Sequence, residues 1–140
     1  MTLPELKKIL QQYQVEDLSL DAMIRYNDER LFSELMDLLM EPCRFVTALS
    51  IGSDDAEFNY VNFYKNMRQL KSFTVKDFSE IINNLPYFPP KLELRSEYSL
   101  PMLAEKTKNH PLSFLNITEY ASLADLQQFL MVSYCDAFVY

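Results

Sequence analysis

Glycine is almost absent from this chain of 140 residues, which has a single one, Gly52. Phosphate-binding loops such as GxGxxG and the P-loop need several glycines, because the backbone must approach the phosphate closely. The sequence therefore excludes these loops. Histidine is equally scarce: His110 stands alone, which excludes HExxH zinc sites and other metal sites that use two histidines. We expect neither a metal nor a cofactor.

Cysteines and long apolar runs are also few. Cys43 and Cys135 lie far apart in the sequence, which favours free, packed thiols over a disulfide. No apolar run approaches the roughly 18 residues that a membrane-spanning helix needs. Residues 1–14 carry charges where a signal peptide would be hydrophobic. The sequence therefore predicts a cytoplasmic protein that does not enter the membrane.

Basic residues are too few to balance the acidic ones, and the net charge is −7. Residues 1–41 contain nine acidic and four basic residues, and residues 112–140 contain three acidic residues and no basic one. A protein that binds nucleic acid directly normally has a basic stripe, and none is visible in the sequence. An acidic surface instead favours a basic protein partner.

Apolar and aromatic residues are plentiful. They make up 49 % and 14 % of the chain, as in folded globular proteins. The length fits one domain, so we expect residues 1–140 to form a single unit. Within it, residues 1–41 should be helical, and residues 42–140 should form a sheet with packed helices.

The stretch 44–64 has the pattern of a β-hairpin. Apolar or β-branched residues alternate from Phe45 to Ile51 and again from Phe58 to Tyr64, which is the period of half-buried strands. The residues between the two runs, from Gly52 to Asp55, are typical of turns. We therefore place an antiparallel pair of strands at the centre of the fold.

The remaining segments alternate between helical and extended patterns. We expect helices at 3–14, from Ser19 to Glu41, at 75–84, at 101–108 and at 123–134, with strands at 91–100 and 112–118 and a tail that docks as a strand. The predicted helix starts carry capping residues: Thr2, Ser19, Thr74 with Asp77, and Ser122 with Asp125. Phe73 and Phe78 could form a hydrophobic staple around the third of these.

This order, α-α-β-β-α-β-α-β-α, predicts an α+β fold. The sheet should have four to five strands in mixed or antiparallel order, built on the central hairpin, with about five helices packed on it. We expect no internal repeat.

The absence of a catalytic signature favours a non-catalytic binding protein. We expect a small acidic inhibitor, immunity protein or adaptor that binds a basic protein partner and binds neither nucleic acid nor membrane. The candidate contact residues are acidic or apolar residues of the second helix and of the predicted turn: Asp28, Glu29, Phe32, Met36, Asp54 and Asp55.

Two alternatives remain open. The first is a homodimeric acidic chaperone for a secreted client, with Phe32, Met36 and Met40 forming the seam between the two copies. The second is an enzyme that uses Cys43 or Cys135 as nucleophile, His110 as base and Asp136 to orient the histidine. Sequence alone does not bring these residues together, and adjacent carboxylates such as those at 54 and 55 usually remain solvated.

Overall fold

The computed structural model describes residues 2–20, 29–52, 61–76, 81–95, 98–117, 122–132 and 138–139. Within these residues, strands alternate with helices along the chain. The described strands are β1 (Asp17–Ser19), β2 (Ala48–Ile51), β3 (Ser72–Val75), β4 (Lys91–Leu94), β5 (Phe114–Ile117) and β6 (Phe138–Val139). The described α-helices are α1 (Leu3–Leu10), α2 (Glu29–Leu39), α3 (Val61–Asn66), α4 (Ile81–Asn84), α5 (Leu100–Thr107) and α6 (Leu123–Val132), and a 3₁₀ helix (Pro42–Phe45) follows α2.

The six described strands lie side by side in the order of the sequence, from β1 to β6, and every neighbouring pair is parallel. The expected α+β fold, with a mixed or antiparallel sheet of four to five strands built on a hairpin, is therefore wrong. The chain has an alternating α/β architecture. Two parallel neighbours can be joined only by a crossover connection, and here each connection contains a helix.

Alternating helices and a wholly parallel sheet are also features of Rossmann-like α/β folds. In doubly wound sheets of that kind the strand order reverses at one point, and ligands bind where it reverses. The order of the described strands does not reverse. Because crossovers are right-handed in nearly all proteins, a sheet that grows in one direction carries its helices on one face. The described helices all contribute to the core on one face of this sheet, and none of them covers the other face.

Segment 44–64 contains one strand and the start of a helix where a hairpin was expected. β2 pairs in parallel with β1 on one side and with β3 on the other, so it is not one arm of a hairpin around Gly52. Gly52 is buried and does not adopt a positive φ, and α3 begins at Val61. The expected turn residues 53–55 lie outside the described residues. The apolar pattern after the glycine therefore belongs partly to a helix, whose first residues can imitate the alternation of a strand.

The aligned strands reveal an internal repeat, so the expectation of no repeat is wrong. Each strand unit places apolar residues with the spacing L-x-x-L-x-L, as in Val15, Leu18 and Leu20 of the first unit. The parallel register aligns the middle residue of each unit in one row across the sheet: Leu18, Leu49, Phe73, Leu92, Leu115 and Phe138. Units of roughly 20 to 30 residues that each add one strand and one helix stack on their neighbours, as the units of repeat proteins do in general.

The core lies between the sheet and the helices. In β2 to β5 every second residue is buried on the helix side, which accounts for the apolar residues Leu49, Ile51, Phe73, Val75, Leu92, Leu94, Leu115 and Ile117. Helices and connections contribute the other side of the same buried cluster, including Leu39, Tyr64, Leu103 and Phe129. The strands thus have one dry face and one face that remains accessible.

Several local predictions are confirmed. Thr2 and Glu5 form a capping box at the start of α1, and Ser122 accepts a hydrogen bond of 3.1 Å from the backbone N–H of Asp125 at the start of α6. The strands predicted at 91–100 and 112–118 contain β4 and β5, and the C-terminal tail contains β6. Each of these segments has its own capping residue or hydrophobic period, so its structure could be predicted without information from the rest of the chain.

Two predicted helix starts are wrong. Ser19 lies in β1 and Thr74 lies in β3, so neither residue caps a helix. Asp77 and Phe78, which the second of these caps required, lie outside the described residues, and the described part of α4 begins at Ile81. Serine and threonine also suit the accessible face of a strand, and here pairing with neighbouring strands determined the local structure.

The proline-rich segment 86–90, which lies between α4 and β4, is attached to the core by the buried Tyr64. The Tyr64 hydroxyl donates a hydrogen bond of 2.9 Å to the Tyr87 carbonyl oxygen, and the two rings lie 5.7 Å apart between centroids. Lys106 Nζ donates a second hydrogen bond, of 2.6 Å, to the Leu85 carbonyl oxygen. Burial lowers the pKa of this ammonium group. The segment is therefore a fixed connection between α4 and β4.

Replacement of Tyr64 by phenylalanine should destabilise the protein by about 1–3 kcal/mol, because the partly buried Tyr87 carbonyl would lose its hydrogen-bond donor. Urea unfolding followed by circular dichroism measures this loss. Tyr13→Phe is the matched control, since the Tyr13 side chain is 66 % exposed. Equal stability of the two variants would show that the hydrogen bond does not hold the segment.

Candidate functional site

The accessible face of the sheet carries none of the described helices, and we call it the open face. Its side chains alternate with the buried ones along β1 to β5. The parallel register places them in two rows: Asp17, Ala48, Ser72, Lys91 and Phe114 in the first, and Ser19, Ser50, Thr74, Glu93 and Asn116 in the second. All ten residues are exposed or half-buried.

The part of the open face on β1 to β3 has short side chains. Ser19, Ser50 and Thr74 are direct neighbours in the second row, and Ala48 and Ser72 lie beside them in the first. Short side chains leave the backbone of the sheet near the surface, so this part forms a shallow floor. Among the described residues, the Ser50 hydroxyl is the buried side-chain oxygen that has no hydrogen-bond partner.

The part of the open face on β4 and β5 has longer and charged side chains. Glu93 Oε1 accepts a hydrogen bond of 2.8 Å from Arg95 Nε, and the two side chains are 28 % and 50 % exposed. An accessible ion pair of this kind adds at most about 1 kcal/mol to stability. Lys91 and the half-buried Phe114 complete this part. Its charges are therefore available for contact with a partner.

The open face is electrically balanced, although the whole chain is acidic. Asp17 and Glu93 contribute two negative charges, and Lys91 and Arg95 contribute two positive ones. The charge of −7 on the chain therefore acts at long range, whereas the open face offers both signs at short range. This arrangement suits recognition of a polypeptide surface better than recognition of a single small ion.

Most of the contact residues predicted from the sequence lie outside this site or outside the described residues. Asp28, Asp54 and Asp55 are not among the described residues. Glu29 begins α2, on the helix side of the sheet, and the side chains of Glu29 and Phe32 are not described. Met36 is only 8 % exposed and belongs to the core. The structure therefore brings none of the described candidates together at one surface.

Burial of Met36 also bears on the dimer seam that the sequence suggested. Met40 is partly buried and packs against the same core, and the Phe32 side chain is not described. A second copy of the chain could reach Met36 only if α2 moved away from the sheet. Met36 and Met40 therefore widen the apolar side of α2 because they pack on the core.

The two described residues of the cysteine–histidine pair predicted as an alternative, Cys43 and His110, lie in different environments, since Cys43 is buried and His110 is exposed. Cys43 is fully buried, and burial raises the pKa of its thiol from 9.0 to about 11. The thiol is therefore protonated at neutral pH, whereas a cysteine nucleophile must form a thiolate. The His110 ring lies 5.5 Å from the Tyr87 ring between centroids. Cys135 and Asp136 lie outside the described residues.

A separate groove lies between the end of α1 and the 3₁₀ helix. It has a volume of about 600 Å³ and a mixed lining of amide, charged and apolar side chains: Lys7, Leu10, Gln11, Gln12, Tyr13, Gln14, Leu38, Glu41, Pro42 and Phe45. Of its two charged residues, Lys7 and Glu41, Glu41 already forms an ion pair of 2.9 Å with Arg44. In the described part of the chain, no group of three or more His, Cys, Asp or Glu side chains could hold a metal ion.

Comparison with known protein families, with characterised proteins and with solved structures finds no match to this chain. No described helix is both long and apolar enough to cross a bilayer. Function must therefore be inferred from the geometry of the open face.

The residues of the open face were missed by sequence reasoning, although a signal for them exists. The L-x-x-L-x-L spacing locates each strand, and the residues between its last two apolar positions are Ser19, Ser50, Thr74, Glu93 and Asn116. Read one unit at a time, these residues look like unrelated polar positions. Only alignment of the units shows that they form a row.

Proposed function

We propose that this chain is a non-catalytic protein-binding module that holds its partner on the open face. The supporting observation is the sheet itself: five neighbouring strands present two aligned rows of accessible side chains, and no helix of the described part of the chain covers them. Stacked repeats create extended surfaces of this kind, which repeat proteins use to bind other proteins. An inhibitor, immunity protein or adaptor would need this type of surface and no catalytic group.

The partner that we propose is a basic protein in the cytoplasm. The charge of −7 attracts it over a distance, and Asp17 and Glu93 give its basic side chains local contacts on the open face. The shallow floor on β1 to β3 accommodates the backbone of an extended segment. Lys91 and Arg95 then select among basic partners, because a basic side chain placed next to them would be repelled.

The test uses two charge reversals that change the net charge equally. Glu93→Lys lies on the open face, and Glu105→Lys lies at an exposed position of α5 in the helix layer. A pull-down from an extract of the native host with the wild-type chain as bait, followed by mass spectrometry, supplies the partner. Titration of the purified partner then measures the affinity of each variant.

We expect Glu93→Lys to weaken binding at least about tenfold, as loss of a central contact does, and Glu105→Lys to weaken it much less. Association should also slow as salt is raised from about 50 mM to about 500 mM, because salt screens the long-range attraction. Equal weakening by both variants would show that net charge alone matters. Unchanged binding of Glu93→Lys would show that the partner does not use the open face. Either result overturns the proposal.

A further inference from the structure

The parallel ladder of the sheet continues for one residue beyond the carboxyl ends of β3 and β4, where two basic residues become neighbours. Val75 and Leu94 are paired at the end of the two strands. The backbone N–H of Arg95 then donates a hydrogen bond of 2.9 Å to the Val75 carbonyl oxygen. The backbone N–H of Lys76 likewise donates one of 3.0 Å to the Ile51 carbonyl oxygen of β2. Lys76 and Arg95 therefore lie side by side on adjacent strands, and we call them the Lys76–Arg95 pair.

Both side chains of the pair lie on the open face. Val75 is fully buried, so the alternation of the strand turns the half-buried Lys76 to the opposite side. Arg95 Nε donates its hydrogen bond to Glu93, a residue of the second row, which places the guanidinium group on the open face as well. Like charges on adjacent strands repel one another. An anionic group bound between the two cations would offset this repulsion.

The surface beside the Lys76–Arg95 pair offers space and a hydroxyl group. Gly52 follows Ile51, the partner of Val75 in the register, so the position next to Lys76 on β2 has no side chain. Ser50 and Thr74 are neighbours one row further back. Among the described residues, the buried Ser50 hydroxyl is the one without a hydrogen-bond partner. A serine hydroxyl turns about a single bond, so it can donate to an acceptor bound beside it.

On the basis of the proposed function, we infer that the Lys76–Arg95 pair binds a carboxylate of the protein partner, the side chain of an Asp or Glu within its basic surface. Glu93 occupies Nε of Arg95, so the two terminal nitrogens of the guanidinium group remain as donors for a second carboxylate. Lys76 adds a positive charge on the adjacent strand. The partner is thus basic as a whole but carries one acidic residue at this contact.

The local charge favours a carboxylate over a phosphate group. Lys76, Arg95 and Glu93 together carry one net positive charge, which one carboxylate neutralises. A phosphate group carries a charge of about −1.5 to −2 at neutral pH. It would leave an excess of negative charge on a chain that already carries −7. The same chain attracts a basic protein over a distance, so one acidic residue on such a protein satisfies both conditions.

Lys76→Gln tests the contact because net charge and local contact predict opposite results. The substitution makes the acidic chain more acidic by one charge, so long-range attraction alone would leave the affinity for the basic partner equal or higher. We expect instead that binding weakens about tenfold, because the partner's carboxylate loses one of its two cations. Lys108→Gln is the matched control, since it makes the same charge change at an exposed residue that ends α5. Circular dichroism verifies that both variants are folded.

A double-mutant cycle identifies the carboxylate on the partner. Each Asp of the partner's contact surface is replaced by Asn and each Glu by Gln, and affinities for the wild-type chain and for Lys76→Gln are measured by titration. One of these substitutions should weaken binding to the wild type about tenfold and should weaken binding to Lys76→Gln much less, because that contact is already lost.

The outcomes separate this contact from the use of the open face as a whole. If Glu93→Lys leaves binding unchanged, the partner does not use the open face, and the proposed function and the carboxylate contact both fail. If Glu93→Lys weakens binding but Lys76→Gln has no more effect than Lys108→Gln, the carboxylate contact alone is overturned. Fully additive effects for every partner substitution would overturn it too, as would loss of binding after phosphatase treatment of the partner.

Discussion

Leu115→Ala is expected to lower the free energy of unfolding by about 2–5 kcal/mol, because it leaves a cavity where a fully buried side chain packs between sheet and helices. Leu115 lies in the row that joins Leu92 on one side to Phe138 on the other. Native proteins are stable by only about 5–15 kcal/mol, so this one change could remove a large part of the total.

The matched control is Asn116→Ala, one residue along the same strand. Asn116 lies on the open face and is half-buried, so its truncation should cost less than about 1 kcal/mol. Chemical denaturation of both variants measures the two losses. Similar losses would contradict the assignment of one dry face and one accessible face to the sheet.

Stability should also decrease in alkaline solution because Cys43 is buried. Its thiol has an ordinary pKa of 9.0 in the unfolded chain and a pKa of about 11 in the folded protein. Between these values the unfolded chain has released the proton and the folded protein has kept it, so the unfolded state gains stability as pH rises. The stabilisation that the protonated Cys43 thiol gives to the folded protein is fully present below pH 9 and is lost by pH 11. It amounts to at most about 3 kcal/mol.

A Cys43→Ala variant isolates this effect from other alkaline titrations, which both proteins share. The variant should be less stable than the wild type at pH 8, because it loses buried atoms. The difference between the two should then shrink by up to about 3 kcal/mol as pH rises to 11. Guanidinium unfolding at a series of pH values measures this difference. A difference that stays constant would mean that the thiol is not held protonated by the fold.

Local segments of the fold could be predicted from the sequence where a hydrophobic period or a capping residue is enough to define the helix or strand. Thr2 and Glu5 mark the start of α1, and the alternation at 91–94 marks β4, since in each segment the residues that determine the structure are neighbours in the chain. The sequence of one segment does not show which strands pair with each other. The alternation of buried and accessible residues around Leu49 is the same whether β2 pairs in parallel or in an antiparallel sense. This alternation therefore does not show in which direction the neighbouring strands run.

The hairpin prediction failed for this reason. Gly52 suggested a tight turn, but its backbone does not require a positive φ, and the chain goes on to a crossover that ends in α3. The open face was missed for a related reason. Ser50 and Thr74 are ordinary polar residues in their own segments, and they become neighbours only through the parallel register.

The sequential order of the strands also affects how the chain acquires its structure. Every described strand pairs only with the strand before or after it in the sequence. Formation of the sheet therefore never requires two distant parts of the chain to meet, and the entropy cost of loop closure stays small at each step. Stacked units can start to fold at any adjacent pair and extend in both directions. The same feature allows end units to open while central units remain folded.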